Sequence, residues 1–225
     1  MRNMRVRGGL VLSLLLVFGF GQAWGGVIVL DFEGLGNSEP VQSFYDGGLG
    51  GDGSGPGPSY GIAFSTNALA IIDSDAGGTG NFGGEPSPDT ILYFLEGAAA
   101  TMNVPAGFDT GFSFFYSAVN YTGSVTVYDG LNGTGTILAT LNLPLTPYSG
   151  APDPTGIYSP LVPFGVAFQG VARSVDFSGS ENQICFDNIT LSSETPWEGV
   201  IPEPTTLVLL ALGGLAIRIR QRRRS

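Results

Sequence analysis

Between residues 26 and 195 no stretch of ten residues repeats its apolar side chains at the three-to-four-residue spacing of an amphipathic helix. The two-residue alternation of strands recurs instead. In the run 27–33, Ile28, Leu30 and Phe32 fall on one face. Further runs occupy 60–65, 68–72, 91–95, 98–104, 111–119, 124–128, 136–142, 162–168, 171–177 and 183–191. Turn pairs such as Asp129-Gly130 and Asn132-Gly133 separate them. Many short strands joined by long turns can bury their apolar faces only by stacking sheet on sheet. The expected fold is therefore all-β, an antiparallel β-sandwich of jelly-roll type over 26–195. The chain's 15 Phe and 8 Tyr, all but Phe18 and Phe20 within this span, supply a core that a disordered chain of similar Gly and Pro content would lack.

Charge is distributed unevenly. There is no lysine, and eight of the nine arginines lie at the two ends. All 19 acidic residues lie between Asp31 and Glu203, where Arg173 is the only cation. Such a surface repels phosphate backbones, which argues against nucleic-acid binding, and it either attracts divalent cations or simply keeps the domain soluble. The chain has no histidine and one cysteine, Cys185. Ser-His-Asp and Cys-His catalysis, His-ligated metal centres and an intrachain disulfide are all excluded.

Both ends read as targeting segments. Residues 1–25 have the three parts of a signal peptide for the secretion machinery. Arg2, Arg5 and Arg7 precede the apolar run 10–20, and a small-residue site follows that permits cleavage after Ala23 or Gly25. At the other end, after a linker at 196–200, Pro202-Glu203-Pro204 leads into the uncharged stretch 205–217. Arg218, Arg220, Arg222, Arg223 and Arg224 then close the chain. The apolar stretch is short for a spanning helix, which takes about 20 residues, yet flanking arginines can snorkel across a thinned bilayer. Cationic flanks stay cytoplasmic, so both ends start inside and the segment between them is exported.

The order motif, apolar stretch and Arg cluster over 201–225 resembles the PEP-CTERM sorting signal of Gram-negative bacteria. Ile201 stands where that family usually has Val. The resemblance implies recognition by exosortase, a membrane-embedded cysteine protease/transpeptidase. It also implies transient anchoring in the inner membrane by a C-terminal helix, processing at the motif, and an association with exopolysaccharide. Two prolines keep the motif extended, as a protease requires.

Within the domain, two loops are rich in glycine, 46–58 and 73–89, and neither has the Lys and following helix of a phosphate-binding loop. Asp46, Asp52, Asp73 and Asp75 in these loops are either solvated or calcium ligands. The domain opens on Asp31-Phe32-Glu33 and closes on Cys185-Phe186-Asp187-Asn188. Asp187 shares strand parity with Cys185, Ile189 and Leu191, so it needs a donor or a cation, unless a bulge turns it outward. Arg173 shares parity with Val175 and Phe177, and either points inward or sits at a strand end in water. The opening and closing strands resemble secreted jelly-roll modules of the carbohydrate-binding and galactose-binding-like kind. That resemblance implies a structural calcium held by Glu33 and Asp187, with Asp31 third.

The expected function is that of a non-catalytic cell-surface or extracellular-matrix protein that binds glycan or calcium. Tyr60, Tyr93, Tyr116, Tyr121, Tyr128 and Trp197 are the aromatics available for sugar contact. A secreted, carboxylate-dependent glycoside hydrolase is the alternative, since paired acids meet only through the fold.

Overall fold

The computed structural model describes residues 27–150 and 156–198, all of it strand, turn and loop. The signal segment 1–25 and the tail 201–225, with its expected helix, lie outside the described residues. Among the described residues, no helix is long and apolar enough to cross a membrane.

Among the described residues, twelve strands form two antiparallel sheets. They are β1 (Ile28–Leu30), β2 (Glu39–Pro40), β3 (Ala63–Phe64), β4 (Leu69–Ile72), β5 (Thr90–Tyr93) and β6 (Ala99–Phe108), followed by β7 (Gly111–Ser117), β8 (Gly123–Tyr128), β9 (Ile137–Leu143), β10 (Val162–Ala167), β11 (Ala172–Ser178) and β12 (Cys185–Leu191). One sheet has seven strands, in the order β10-β7-β12-β5-β4-β2, with β1 added alongside β12. The other has five, in the order β3-β6-β11-β8-β9. The all-β sandwich expected from the alternation is what forms. Strand β2 escaped that reading because two residues, one of them Pro, carry no period.

Aromatic rings fill the space between the sheets. Phe114 of β7 and Phe186 of β12 meet Phe177 of the opposite sheet, with centroids 5.4 Å apart for Phe114–Phe186 and 5.0 Å for Phe177–Phe186. Burying each such ring contributes about 1.5–3 kcal/mol, and edge-to-face packing adds to it.

Two bulges break the alternation where polar residues enter strands. In β11 the register with β6 shifts between Ala172 and Ser174. Ala172, Val175 and Phe177 remain in the core and Arg173 is exposed, so the inward reading of Arg173 does not hold. In β12 the register with β7 shifts between Asp187 and Thr190, and Asn188 sits at φ 44°. The shift separates Asp187 from the face it was expected to share with Ile189 and Leu191. Those two enter the main core, while Cys185 joins a second apolar cluster on the other side of the sheet. A single inserted residue flips side-chain direction, which is the physical reason for the difference.

Phe82, Ile91, Phe115, Leu161 and Cys185 pack on the outer face of the seven-stranded sheet, with Ile71 and Tyr158 against them. Phe82 and Leu161 come from the connections after β4 and before β10. Every residue of β7 and of β12 is consequently buried.

Candidate functional site

The three residues expected to share calcium meet at one end of the sandwich, in an arrangement that differs from three converging carboxylates. Glu33 turns to the backbone before β5: its Oε1 accepts from Asp89 N and Thr90 N at 2.9 Å each, and Oε2 accepts from Thr90 Oγ1 at 3.2 Å. Asp187 is fully buried. Its Oδ2 accepts from Ser87 N at 3.0 Å and Ser87 Oγ at 2.8 Å, and its Oδ1 accepts from Asn188 N at 2.7 Å. Burial pushes the Asp187 carboxyl up to about 8. The Ser87 and Asn188 donors oppose that rise, and the Asp31 charge adds to it.

Asp31 contributes its carbonyl. Ser87 Oγ lies 3.3 Å from Asp31 O, 3.2 Å from Thr90 O and 2.8 Å from Asp187 Oδ2, so three acceptors surround one hydroxyl proton. On the residue after Asp187, the Asn188 Oδ1 is buried and without a hydrogen-bond partner among the described residues. Its amide nitrogen donates to Trp197 O at 3.0 Å, and Trp197 N donates to Thr190 Oγ1 at 3.1 Å, which ties residue 197 to the last strand. No group of three or more Asp, Glu, Cys or His that could hold a metal forms among the described residues. The oxygen donors that do converge are one carboxylate, two carbonyls and a hydroxyl, a set suited to a hard cation.

The Gly-rich loop 46–58 is organised by a carboxylate that sequence reading passed over. Glu39 is buried and accepts from Gly36 N at 2.5 Å, Asp52 N at 2.9 Å and Ser54 N at 3.0 Å. Burial raises its pKa, but the hydrogen bonds from Ser54, Gly36 and Asp52 outweigh burial and leave the carboxyl below its ordinary value. Gly50 is required there, because a Cβ would run into Glu39 Oε1. Asp46 and Asp52 are exposed on this loop. In the other loop Asp75 is exposed, and buried Asp73 accepts from Ser74 N at 2.6 Å.

Loop 73–89 builds the candidate binding site. It rises over the outer face of the seven-stranded sheet and, with residues 157–158 and 182–185, encloses a pocket of about 280 Å³. The floor is apolar: Ile71, Ile91 and Tyr93 project from β4 and β5, and Cys185 from β12. Three amides stand on the lining, Asn81, Asn182 and Gln183, each from a loop segment. Asn81 holds the two loops together, its carbonyl accepting from Tyr158 N at 3.0 Å and its Oδ1 from Ile157 N at 3.1 Å. Tyr158 donates to Gln183 Oε1 at 3.2 Å. Among the described residues, Asn81 Nδ2, Gln183 Nε2 and the Asn182 side-chain amide donate to no protein group. Among the described residues, no charged side chain lines the pocket. Burial pushes the Cys185 thiol up to about 12, which leaves it protonated and unreactive at neutral pH.

Of the aromatics noted in the sequence, Tyr93 alone lines this pocket. Tyr60 is stacked on buried Tyr45 at 6.2 Å, Tyr116 lies in the main core, Tyr128 and Trp197 are half-buried, and Tyr121 is exposed. Tyr158, Asn81, Asn182 and Gln183 were not foreseen. The long loop 73–89 was a visible signal for Asn81 alone.

Comparison with curated proteins gives no match for the chain. Among solved structures, the K2 cleaved adhesin domain of Lys-gingipain is 10% identical, with a TM-score of 0.44 over 75% of this chain and 100% of that one. A carbohydrate-binding module of Cellvibrio mixtus lichenase 5A, solved with cellotriose, is 12% identical, with a TM-score of 0.32 over 57% of this chain and 88% of that one. The K3 adhesin domain of Lys-gingipain from Porphyromonas gingivalis is 16% identical, with a TM-score of 0.27 over 74% and 91%. Residues 200–224 match the PEP-CTERM protein-sorting motif, and the chain is thus an exported protein whose tail marks it for exosortase and the cell surface.

Proposed function

We propose that this is a non-catalytic surface or matrix protein whose β domain binds exopolysaccharide. The signal peptide 1–25 sends it out, and the apolar stretch 205–217 with its arginines holds it in the inner membrane until exosortase cuts at Pro202-Glu203-Pro204. The observation that carries this reading is the sorting motif at 200–224. The charge pattern agrees, since arginines flank both ends and acids fill the middle. Binding is favoured over hydrolysis by the pocket, whose ionisable groups are Tyr93, Tyr158 and Cys185, whereas a glycosidase works with two carboxylates across the scissile bond. Deleting residues 202–225 tests the sorting: the truncated protein is expected to leave the envelope unprocessed, and unchanged processing and location would overturn the assignment.

The second reading is a structural calcium at the Asp31–Asp187 end. The convergence of Asp187 Oδ2, Asp31 O and Thr90 O on the single Ser87 hydroxyl favours it, as does the buried Asn188 Oδ1. A calcium ion there would supply charge neutralisation and cross-link the first and last strands. Calcium titration of chelator-treated protein is expected to raise its melting temperature, and an unchanged value would remove this reading.

A further inference from the structure

We propose that the outer-face pocket formed by Asn81, Tyr93, Tyr158, Asn182 and Gln183 is the glycan site, and that it takes a single uncharged sugar ring. This rests on the glycan-binding reading and goes further by assigning residues and ligand class. A pyranose presents an apolar C–H face and an edge of hydroxyl groups, each both donor and acceptor. The pocket mirrors that division. Its floor of Ile71, Ile91 and Tyr93 is apolar, and its wall is made of amides, which also offer both donors and acceptors.

The unused hydrogen-bonding capacity lies where a ligand edge would sit. Asn81 Nδ2, Gln183 Nε2 and the Asn182 amide have no acceptor among the described residues, while the other atoms of Asn81 and Gln183 are fixed by Ile157 and Tyr158. Asn81 and Gln183 are therefore oriented before any ligand arrives, which lowers the entropic cost of binding, while Asn182 is left to adjust to the ligand. Charge selects against acidic sugars. The lining is uncharged, and around it the acids between Asp31 and Glu203 face one Arg. Uronates and sulfated glycans meet repulsion without a compensating cation. Size agrees: about 280 Å³ lies just under the roughly 300 Å³ at which small-molecule pockets begin, so the pocket holds one ring, a chain end or branch, with the rest of the glycan outside it.

The test uses the full-length protein in mild detergent and affinity electrophoresis through hydroxyethylcellulose, dextran, galactomannan and alginate. Retardation by at least one of the neutral polymers, and none by alginate, is expected. Asn182→Gly suits the left-handed backbone at φ 58° and should leave the fold intact, and Gln183→Ala changes a loop side chain. The double substitution is expected to weaken retention at least tenfold, and Tyr158→Ala similarly. Tyr121→Ala, exposed and outside the pocket, should behave as wild type. Equal melting temperatures for wild type and the double variant keep a loss of binding attributable to the site. Retention that survives the double substitution overturns the pocket assignment and leaves glycan binding standing. Alginate retention with no neutral retention overturns the ligand class. Failure on every polymer overturns both.

Discussion

Glu39 and Asp187 are both carboxylates removed from water, and the fold treats them in opposite ways. Glu39 caps three backbone amides of a loop, and its hydrogen bonds outweigh burial, so it is held ionised. Asp187 also accepts three hydrogen bonds, yet it lies deeper and beside Asp31, and its carboxyl rises to about 8. Glu39 has the Ser54 side chain as a further donor beside its three amides, and Asp187 is set apart by the completeness of its desolvation and then by the Asp31 charge, so the balance of donors against desolvation decides the ionisation state of a buried acid.

The largest expected effect is a pH slope in metal-free protein. The Asp187 value is 3.8 unperturbed and about 8 folded, so its contribution to stability is fully present below pH 4 and is lost as pH rises toward 8. The loss approaches about 5 kcal/mol at the upper end. Glu39 runs the other way: its folded value lies below 4.5, so its contribution is present above pH 4.5 and is lost as pH falls through the folded value. Denaturation across pH 3 to 9 should therefore show stability greatest near pH 4–5. Asp187→Asn should flatten the neutral limb and leave the acid limb. A neutral limb that persists in that variant would break the contrast between the two acids.

Next in size is Glu39→Ala. It strands the amides of Gly36, Asp52 and Ser54, at about 1–3 kcal/mol for each that water cannot reach. With part of the loop open to solvent the net loss is about 3 kcal/mol, or roughly 10 °C in melting temperature. A loss under about 3 °C would mean that loop 46–58 is not organised by this side chain.

These two acids also mark the boundary of what the sequence tells. The sandwich was legible because alternation is a local property: the runs at 124–128 and 136–142 became β8 and β9 almost unchanged. Bulges were not, because one inserted residue leaves composition untouched while reversing every side chain beyond it. That is why strand parity left Arg173 open between core and solvent, and why Asp187 parts from Ile189 and Leu191. Glu39 was invisible for a different reason, since its amides at 36, 52 and 54 come together only after the loop closes. The pocket amides at 81, 182 and 183 likewise meet across separate loops. The Asp187 end was partly legible, because an acid between apolar neighbours demands a partner even when Ser87 cannot be named.

The smallest effect sharpens the comparison most. Asn188 occupies the bulge at φ 44°, where Gly is at ease and Asn carries a modest strain. Replacing Asn188 by Gly relieves that strain and removes the partnerless Oδ1, but it gives up the bond from the amide nitrogen to Trp197 O. It also adds unfolded-state entropy. Each of these is worth about 1 kcal/mol or less, and they oppose one another, so the metal-free melting temperature should move by no more than about 2 °C. The calcium response separates from this. If Asn188 Oδ1 is among the oxygens that hold the cation, Asn188→Gly lowers calcium affinity at pH 8 while leaving the metal-free pH slope of Asp187 in place. A calcium response equal to wild type would assign the neutralisation of Asp187 to its own carboxylate and the Asp31 and Thr90 carbonyls alone.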